Sequence, residues 1–155
     1  MSENRAPQLR FDNRVAVVTG AGRGLGRAYA QLLAARGAKV VVNDVGGALD
    51  GDGMDAGPAD EVVGEITAAG GTAVACSASV ATREGGAAII NTALEHFGTI
   101  DILVHNAGNV RRGSLKDMSY EDFDAVLDVH LRGAFHVVRP AFPVYERCCG
   151  LDAKH

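Results

Sequence analysis

Apolar positions along the chain follow two alternating patterns. Short runs of consecutive apolar residues alternate with longer stretches in which apolar residues recur at helical spacing. A continuous apolar run is typical of a strand in a parallel sheet, because helices cover both faces of such a sheet. The predicted strands are residues 15–19, 39–43, 72–76 and 100–104, and the predicted helices are residues 25–36, 58–69, 84–97 and 120–138. This alternation predicts an α/β fold of parallel βαβ units with right-handed crossovers.

A glycine-rich turn joins the first predicted strand to the first helix. Glycine has no Cβ, so it permits a tight turn and lets a pyrophosphate approach the main chain closely. The helix that follows directs its first amides and its positive dipole end at such an anion. The turn, the preceding strand and an acidic residue after the second strand predict a dinucleotide-binding site. Its candidate residues in the turn are Thr19, Gly20, Arg23, Gly24, Leu25 and Gly26.

Two motifs resemble those of the short-chain dehydrogenase/reductase family. One is the spacing of Gly20, Gly24 and Gly26 behind Thr19, and the other is the His-Asn-Ala-Gly sequence at residues 105–108. The resemblance covers roughly residues 11–143. It implies a partial Rossmann fold, in which a doubly wound parallel sheet has the strand order 3-2-1-4 and flanking helices. It also implies that three residues after the fourth strand bind the cofactor, namely Asn106, Ala107 and Gly108.

Asp44 follows the second predicted strand and bears on the choice of cofactor. A carboxylate at this place accepts hydrogen bonds from the adenosine ribose hydroxyls and repels a 2′-phosphate, which favours NAD. Arg23 acts in the opposite direction, since a basic residue in the glycine turn often accompanies NADP in the family that the chain resembles. We give Asp44 more weight, because carboxylate and phosphate repel strongly in a partly desolvated site. The expected cofactor is therefore NAD, with NADP as the alternative.

The resemblance also predicts roles for three further residues. Ser79 and Val80 are candidate cofactor-binding residues, in a place where the family usually carries an acidic residue that reads the adenine. His130 stands where the family has an asparagine on its long helix, and with residues 43–47 it resembles the (3R)-hydroxyacyl-CoA dehydrogenases of multifunctional β-oxidation enzymes. His130 either orients a water or a backbone carbonyl near the active site, or is a helix histidine satisfied by its neighbours.

The catalytic residues of the family are missing from this sequence, so no catalytic residue is predicted. Reduction of a carbonyl requires an acid or base at the reacting oxygen, and the family supplies it with a tyrosine, a lysine four residues later and a serine. Tyr29, Tyr120 and Tyr145 are followed at that spacing by residues other than lysine. We expect a truncated member of the family with an N-terminal arm (1–10), a Rossmann domain (11–143) and a divergent tail (144–155).

Two functions remain open at this point. The chain is either an NAD(P)-dependent oxidoreductase for a secondary alcohol or ketone, with a 3-hydroxyacyl-CoA-like or steroid-like substrate, or a catalytically incomplete nucleotide-binding fragment or assembly partner. In the family that the chain resembles, a fifth strand lies beside the fourth. Because this sequence has no such strand, we predict that the fourth strand has an open apolar edge. We expect a homo-oligomer, or aggregation, through this edge and the helix at 120–138. The glycine- and aspartate-rich loop 46–57 is either a functional lip or a flexible insertion.

Composition narrows the remaining classes. A hydrophobic fraction of 47% and 20 glycines suit a soluble α/β domain. The net charge of -4 argues against nucleic acid or an anionic membrane as the partner. No run reaches membrane-spanning length, and the first ten residues do not resemble a signal peptide. Three cysteines without metal-ligand spacing predict a cytoplasmic protein with no metal site.

Overall fold

The computed structural model describes residues 8–46 and 57–149. Most of the predicted arm (1–7), most of the loop predicted at 46–57 (47–56) and the end of the predicted tail (150–155) lie outside the described residues. The expectations about those segments therefore stay predictions, and so does the division into arm, domain and tail.

The described residues contain four strands, β1 (Val15–Thr19), β2 (Lys39–Asn43), β3 (Thr72–Cys76) and β4 (Ile102–Val104). They form one parallel sheet in the order β3-β2-β1-β4. Val17 of β1 lies opposite Val41 of β2 on one side and Leu103 of β4 on the other. The predicted α/β class, parallel pairing and strand order 3-2-1-4 are confirmed.

Helices cover both faces of this sheet, which explains why β1 and β2 are almost entirely apolar. Successive side chains of a strand point to opposite faces. The helices are α1 (Gly24–Ala35), α2 (Gly57–Ala68), α3 (Arg83–Phe97), α4 (Tyr120–Leu127) and α5 (Gly133–Cys149). Val15 and Val17 accordingly pack with α3 and α5 in one buried cluster, whereas Ala16 and Val18 pack with α1 and α2 in the other.

Strand β4 is shorter than the predicted strand 100–104, because a side chain replaces part of the strand pairing at its start. The carboxylate of Asp101 accepts a hydrogen bond from the amide of Val15 at 2.9 Å, and a second from Arg14 at 2.7 Å. Ile100 is fully buried, although it lies before the strand begins. The apolar run at 100–104 therefore correctly marked a buried segment but placed the start of the strand too early.

The long helix predicted at 120–138 is wrong in two respects. It is interrupted by a π-helical turn (Asp128–Arg132), called the π turn below, and its last part continues as α5 to Cys149. Residues 144–149, expected to be a patternless tail, thus form the end of a helix. Val137, Ala141 and Val144 are buried at helical spacing, and this burial continues the helix past two prolines that donate no backbone hydrogen bond.

Helices α3 and α5 pack closely because Gly86 has no side chain. A Cβ atom at Gly86 would lie 2.4 Å from the carbonyl oxygen of His136. This contact places α5, and with it the π turn, against the same face of the sheet as α3.

We expect Gly86→Ala to lower the free energy of unfolding by about 1–3 kcal/mol, because the added methyl group forces two backbones apart. Urea denaturation of the purified chain measures this. Gly64→Ala is the matched control, since a Cβ there meets nothing within 4 Å in the interior of α2. The control is expected to leave stability unchanged or to raise it by up to about 1 kcal/mol. Equal effects of the two substitutions would contradict this packing.

Candidate functional site

A cavity of about 770 Å³ opens at the carboxyl ends of the strands. Ligands of open α/β sheets bind in this place, in the crevice where the strand order reverses. The lining residues come from the glycine turn, the ends of β2 and β4, the segment before α3, and α4 with the π turn. They are Gly20, Arg23, Gly24, Leu25, Asn43, Asp44, Val45, Ser79, Val80, Ala81, Asn106, Ala107, Gly108, Asn109, Arg111, Ala125, Asp128 and Val129.

The glycine turn brings the backbone of β1 and α1 close to the 106–108 segment. A Cβ on Gly20 would lie 2.7 Å from Cα of Ala107, and one on Gly26 would lie 2.1 Å from the carbonyl oxygen of Gly20. Gly24 differs from both, since it has a φ of +54° and nothing beyond its chain neighbours and its own helix backbone lies within 4 Å of the position of a Cβ. The space beside Gly24 belongs to the cavity, so a ligand can approach the main chain there.

The N-terminus of α1 faces this space without a protein cap. Arg23 occupies the N-cap position, its side chain makes no capping hydrogen bond, and the first turn of the helix has no acidic residue. The first amides of a helix lack backbone partners, and together with the helix dipole they attract an anion. The end of α1 is thus suited to bind a phosphate group.

Asp44 accepts hydrogen bonds with both carboxylate oxygens. The amide of Gly22 donates to Oδ2 and the amide of Gly46 donates to Oδ1, each at 2.8 Å. Each carboxylate oxygen has a second lone pair, so the group can also accept from a ligand hydroxyl. Asp44 therefore fixes the glycine turn and offers a negative charge at the cavity wall.

Thr19 and Asn106 hold β1 to the 106–108 segment, and we call this set of hydrogen bonds the Thr19 clasp. The buried Thr19 hydroxyl accepts from the amides of Asn106 and Ala107, each at 3.1 Å. In return, Nδ2 of Asn106 donates to the carbonyl oxygens of Thr19 at 3.2 Å and Gly20 at 3.0 Å. The clasp positions two cavity-lining residues, Asn106 and Ala107, against the glycine turn.

His105 lies at the rear of the clasp. Its Nδ1 atom is 3.3 Å from the Thr19 hydroxyl oxygen, and its Nε2 atom is buried with no hydrogen-bond partner. Burial lowers the pKa of His105 from its ordinary value, and the nearby His130 lowers the pKa further, while backbone groups of Val129 and His130 oppose the shift. The folded chain therefore favours the neutral ring.

His130 joins the π turn to the end of the 106–108 segment. Its Nε2 atom lies 3.2 Å from the amide nitrogen and 3.0 Å from the carbonyl oxygen of Asn109. A Cβ on Gly108 would lie 2.7 Å from the imidazole ring of His130, so only glycine fits beside the ring at this position. The side chain of Asn109 donates to the carbonyl oxygen of Ala125 at 3.0 Å and attaches the same segment to α4.

All but two of the predicted cofactor-binding residues line the cavity. The exceptions are Thr19 and Gly26, which lie behind the wall and shape it. Val80 lines the cavity but is mainly part of the core, and the Ser79 hydroxyl accepts from the amide of Ala81 at 3.2 Å. The roles predicted for these residues in cofactor binding stay predictions.

Sequence reasoning missed four polar residues of the wall, and one of them is Asp128, whose carboxylate accepts a hydrogen bond from Arg132. Asn43 is buried and donates to the carbonyl oxygens of Cys76 and Ala78, at 2.9 and 2.8 Å. Asn109 attaches the wall to α4, and Arg111 forms an ion pair with Asp122 at 3.3 Å. An amide at the end of an apolar strand was the available signal for Asn43. Asn109 and Arg111 give no local signal, because their partners belong to other elements.

Among residues 8–46 and 57–149, no three His, Cys, Asp or Glu side chains come together in a way that could hold a metal ion. No helix in the described part of the chain is long and apolar enough to cross a membrane.

Comparisons with known proteins agree with this architecture. The family model for short chain dehydrogenases matches residues 14–148. A putative short-chain type dehydrogenase/reductase of Mycobacterium tuberculosis is 58% identical over 131 residues, covering 84% of this chain and 46% of the relative. A peroxisomal multifunctional enzyme type 2 of Drosophila melanogaster is 55% identical over 140 residues, covering 90% of this chain and 23% of that protein. The chain thus spans less than half the length of these relatives.

A solved structure shows the same fold with a ligand present. It is a 7α-hydroxysteroid dehydrogenase in complex with NADH and 7-oxo glycochenodeoxycholic acid. The two chains superpose with a TM-score of 0.81 at 33% identity, over 90% of this chain and 51% of the other.

We expect Asn106→Ala to lower the free energy of unfolding by about 1–3 kcal/mol, because two partly buried carbonyl oxygens lose their donor. Asn91→Ala on the exposed surface of α3 is the matched control, expected to change stability by no more than about 0.5 kcal/mol. Urea denaturation compares the two variants. If Asn106→Ala is as stable as the control, the Thr19 clasp does not hold the site together.

Proposed function

Because this chain belongs to the short-chain dehydrogenase family, we propose that its cavity binds NAD for an oxidoreductase that acts on a secondary alcohol or ketone. One observation carries the proposal: the open space beside Gly24, the uncapped N-terminus of α1 and the carboxylate of Asp44 meet in a single cavity. These three features match the pyrophosphate and ribose of a dinucleotide.

The dimensions of the cavity support a bound dinucleotide. Small-molecule and cofactor sites commonly measure roughly 300–1,000 Å³, and this cavity of about 770 Å³ lies in that range. We place the pyrophosphate at the first turn of α1, where Gly24 and Leu25 line the wall. The solved 7α-hydroxysteroid dehydrogenase, which has the same fold, contains NADH, and this is consistent with the proposed placement.

NAD is the proposed cofactor in preference to NADP. Asp44 presents its negative charge beside Gly22, at the place proposed for the adenosine ribose. A 2′-phosphate would meet this carboxylate at close range, and the repulsion grows where water is excluded. Arg23 is exposed at the mouth of the cavity, so solvent screens its attraction for such a phosphate.

The chemistry proposed for the whole protein requires residues that this sequence does not contain. NAD, when bound, accepts a hydride from an alcohol or, in its reduced form, delivers one to a ketone. Proton transfer to the reacting oxygen needs an acid or base, yet no tyrosine here has a lysine four residues later. We propose that these 155 residues bind the dinucleotide without turnover. The proposed substrate of the whole protein is 3-hydroxyacyl-CoA-like or steroid-like.

A nucleotide-binding fragment or assembly partner is the second candidate function, and one surface favours it. Exposed apolar side chains cover the outer side of α4, the π turn and α5, and they include Phe123, Leu131, Phe135, Val138 and Phe142. Within the described residues β4 pairs with β1 alone, so its other edge is open. Open strand edges and apolar patches of this kind promote association. We propose that copies of the chain associate through this surface.

We further propose a cytoplasmic location. The three cysteines, which lack metal-site spacing, are consistent with a reducing compartment.

Phe135→Asp is expected to shift the chain toward the monomer in sedimentation velocity, because a charge in an apolar contact is costly. Phe135 is 63% exposed. Leu115→Asp is the matched control, since Leu115 is 97% exposed and lies outside the patch. A wild-type chain that sediments as a monomer at all concentrations would refute the association.

Calorimetric titration of NAD and NADP into the 155-residue chain tests the cofactor proposal, with Asp44→Asn as the key variant. Asparagine keeps one oxygen acceptor but loses the charge, so the preference for NAD is expected to narrow by about 1–3 kcal/mol. Glu95→Gln removes the same charge from the exposed surface of α3 and should leave the preference unchanged. Failure of the wild-type chain to bind NAD, or tighter binding of NADP, would refute the proposal.

A further inference from the structure

The hydroxyl of Thr19 has used its whole capacity for hydrogen bonding. A threonine hydroxyl accepts two hydrogen bonds and donates one. The amides of Asn106 and Ala107 fill the two acceptor positions. The single proton of the hydroxyl is therefore left for Nδ1 of His105, 3.3 Å away. This assigns the tautomer of the neutral ring: Nδ1 accepts, and Nε2 carries the proton.

A second proton on His105 has no favourable place. Nδ1–H would point at an oxygen whose lone pairs are both occupied, so it must displace one of the two backbone amides. Nε2–H makes no hydrogen bond of good geometry, and the backbone of Val129 and His130 offsets only part of the cost of a charged ring. The doubly protonated ring would therefore break part of the Thr19 clasp in addition to burying a positive charge.

We propose that His105 makes the cofactor cavity sensitive to acid: protonation of its ring competes with the amides of Asn106 and Ala107 for the Thr19 hydroxyl and loosens the cavity wall. The inference rests on the proposed function, because the wall in question is the one proposed to bind NAD. Asn106 and Ala107 both line the cavity, and Asn106 also holds the glycine turn by its carbonyl oxygens.

The groups that face His105 come from two elements and act on its pKa in opposite directions. From β1 the facing group is the uncharged Thr19. From the π turn the facing groups are the backbone of Val129 and the side chain and backbone of His130. The backbone of Val129 and His130 raises the pKa of His105, whereas burial and electrostatic repulsion from the His130 side chain lower it, and the net shift is downward.

The direction of the pH dependence follows from the lowered pKa. The unfolded chain takes up the proton near the ordinary value of about 6.5, whereas the folded chain resists it. Between these two values the unfolded state binds more protons, so the folded state loses stability as the pH falls. The contribution is fully present above about pH 6.5 and is lost progressively as the pH falls toward the folded value.

Nuclear magnetic resonance on the full 155-residue chain tests the inference without a cofactor. We compare about pH 7.5 with about pH 5.5, and expect the hydrogen-exchange protection of the Asn106 and Ala107 amides to fall only below about pH 6.5, because the pKa of His105 is lowered in the folded chain. The fall should have the same midpoint as protonation of the His105 ring. The amide of Gly85 is the internal control, because it also donates to a threonine hydroxyl, that of Thr82, at 3.0 Å. Its protection should not follow the His105 ring. A ring that titrates without a change at Asn106 and Ala107, or one that stays neutral until the chain unfolds, would overturn the inference.

Titration of NAD at the two pH values tests the link to the cavity. The wild-type chain is expected to bind NAD roughly fivefold more weakly at the lower pH, the effect of about one lost hydrogen bond. His105→Asn and His105→Gln retain an acceptor oxygen but cannot titrate, and either should remove most of this dependence. The same pH dependence in both variants would overturn the link. If NAD binds at neither pH, the proposed function fails. The exchange measurement on the wild-type chain still shows whether protonation of His105 loosens the Thr19 clasp.

Discussion

The cavity depends on a single buried hydroxyl that brings two distant stretches of main chain together. Thr19 accepts from two successive amides of the 106–108 segment, while Asn106 returns two hydrogen bonds to the glycine turn. Buried polar groups are costly unless they are paired, so this reciprocal pairing is what lets the turn approach the neighbouring strand so closely. Gly20 completes the arrangement, because any side chain there would collide with Ala107.

The sheet supplies the rigid base for this arrangement. Alternate residues of β1 pack against different helix layers, so the strand is held from both faces and its carboxyl end is fixed in place. Loops at such an end can carry binding groups without loss of precision, because the scaffold beneath them is rigid. Gly86 contributes from a distance, since it seats α5 against α3 and thereby locates the π turn with His130 at the cavity.

Local patterns predicted most of the fold, and long-range partners account for the errors. Apolar runs located the strands, and the glycine spacing located the cavity. The start of β4 was misplaced because the carboxylate of Asp101 replaces a strand contact with Val15, which no local pattern reveals. The helix was predicted to end at residue 138, whereas burial of Val144 against the sheet continues α5 to Cys149. Asn109 was missed for the same reason: its partners lie in other elements.

The hydrogen bonds of the Thr19 clasp join residues separated by 86 to 88 positions in the sequence. Contacts between residues so far apart in sequence form only after the chain has overcome the entropic cost of closing a long loop. Such contacts are characteristic of slow-folding parallel sheets. A segment that contains only the glycine turn and α1 therefore cannot form the cavity, because its wall also needs residues 106–108. The cavity is complete only when the sheet has closed, so during folding it forms at the moment at which β1 and β4 have paired.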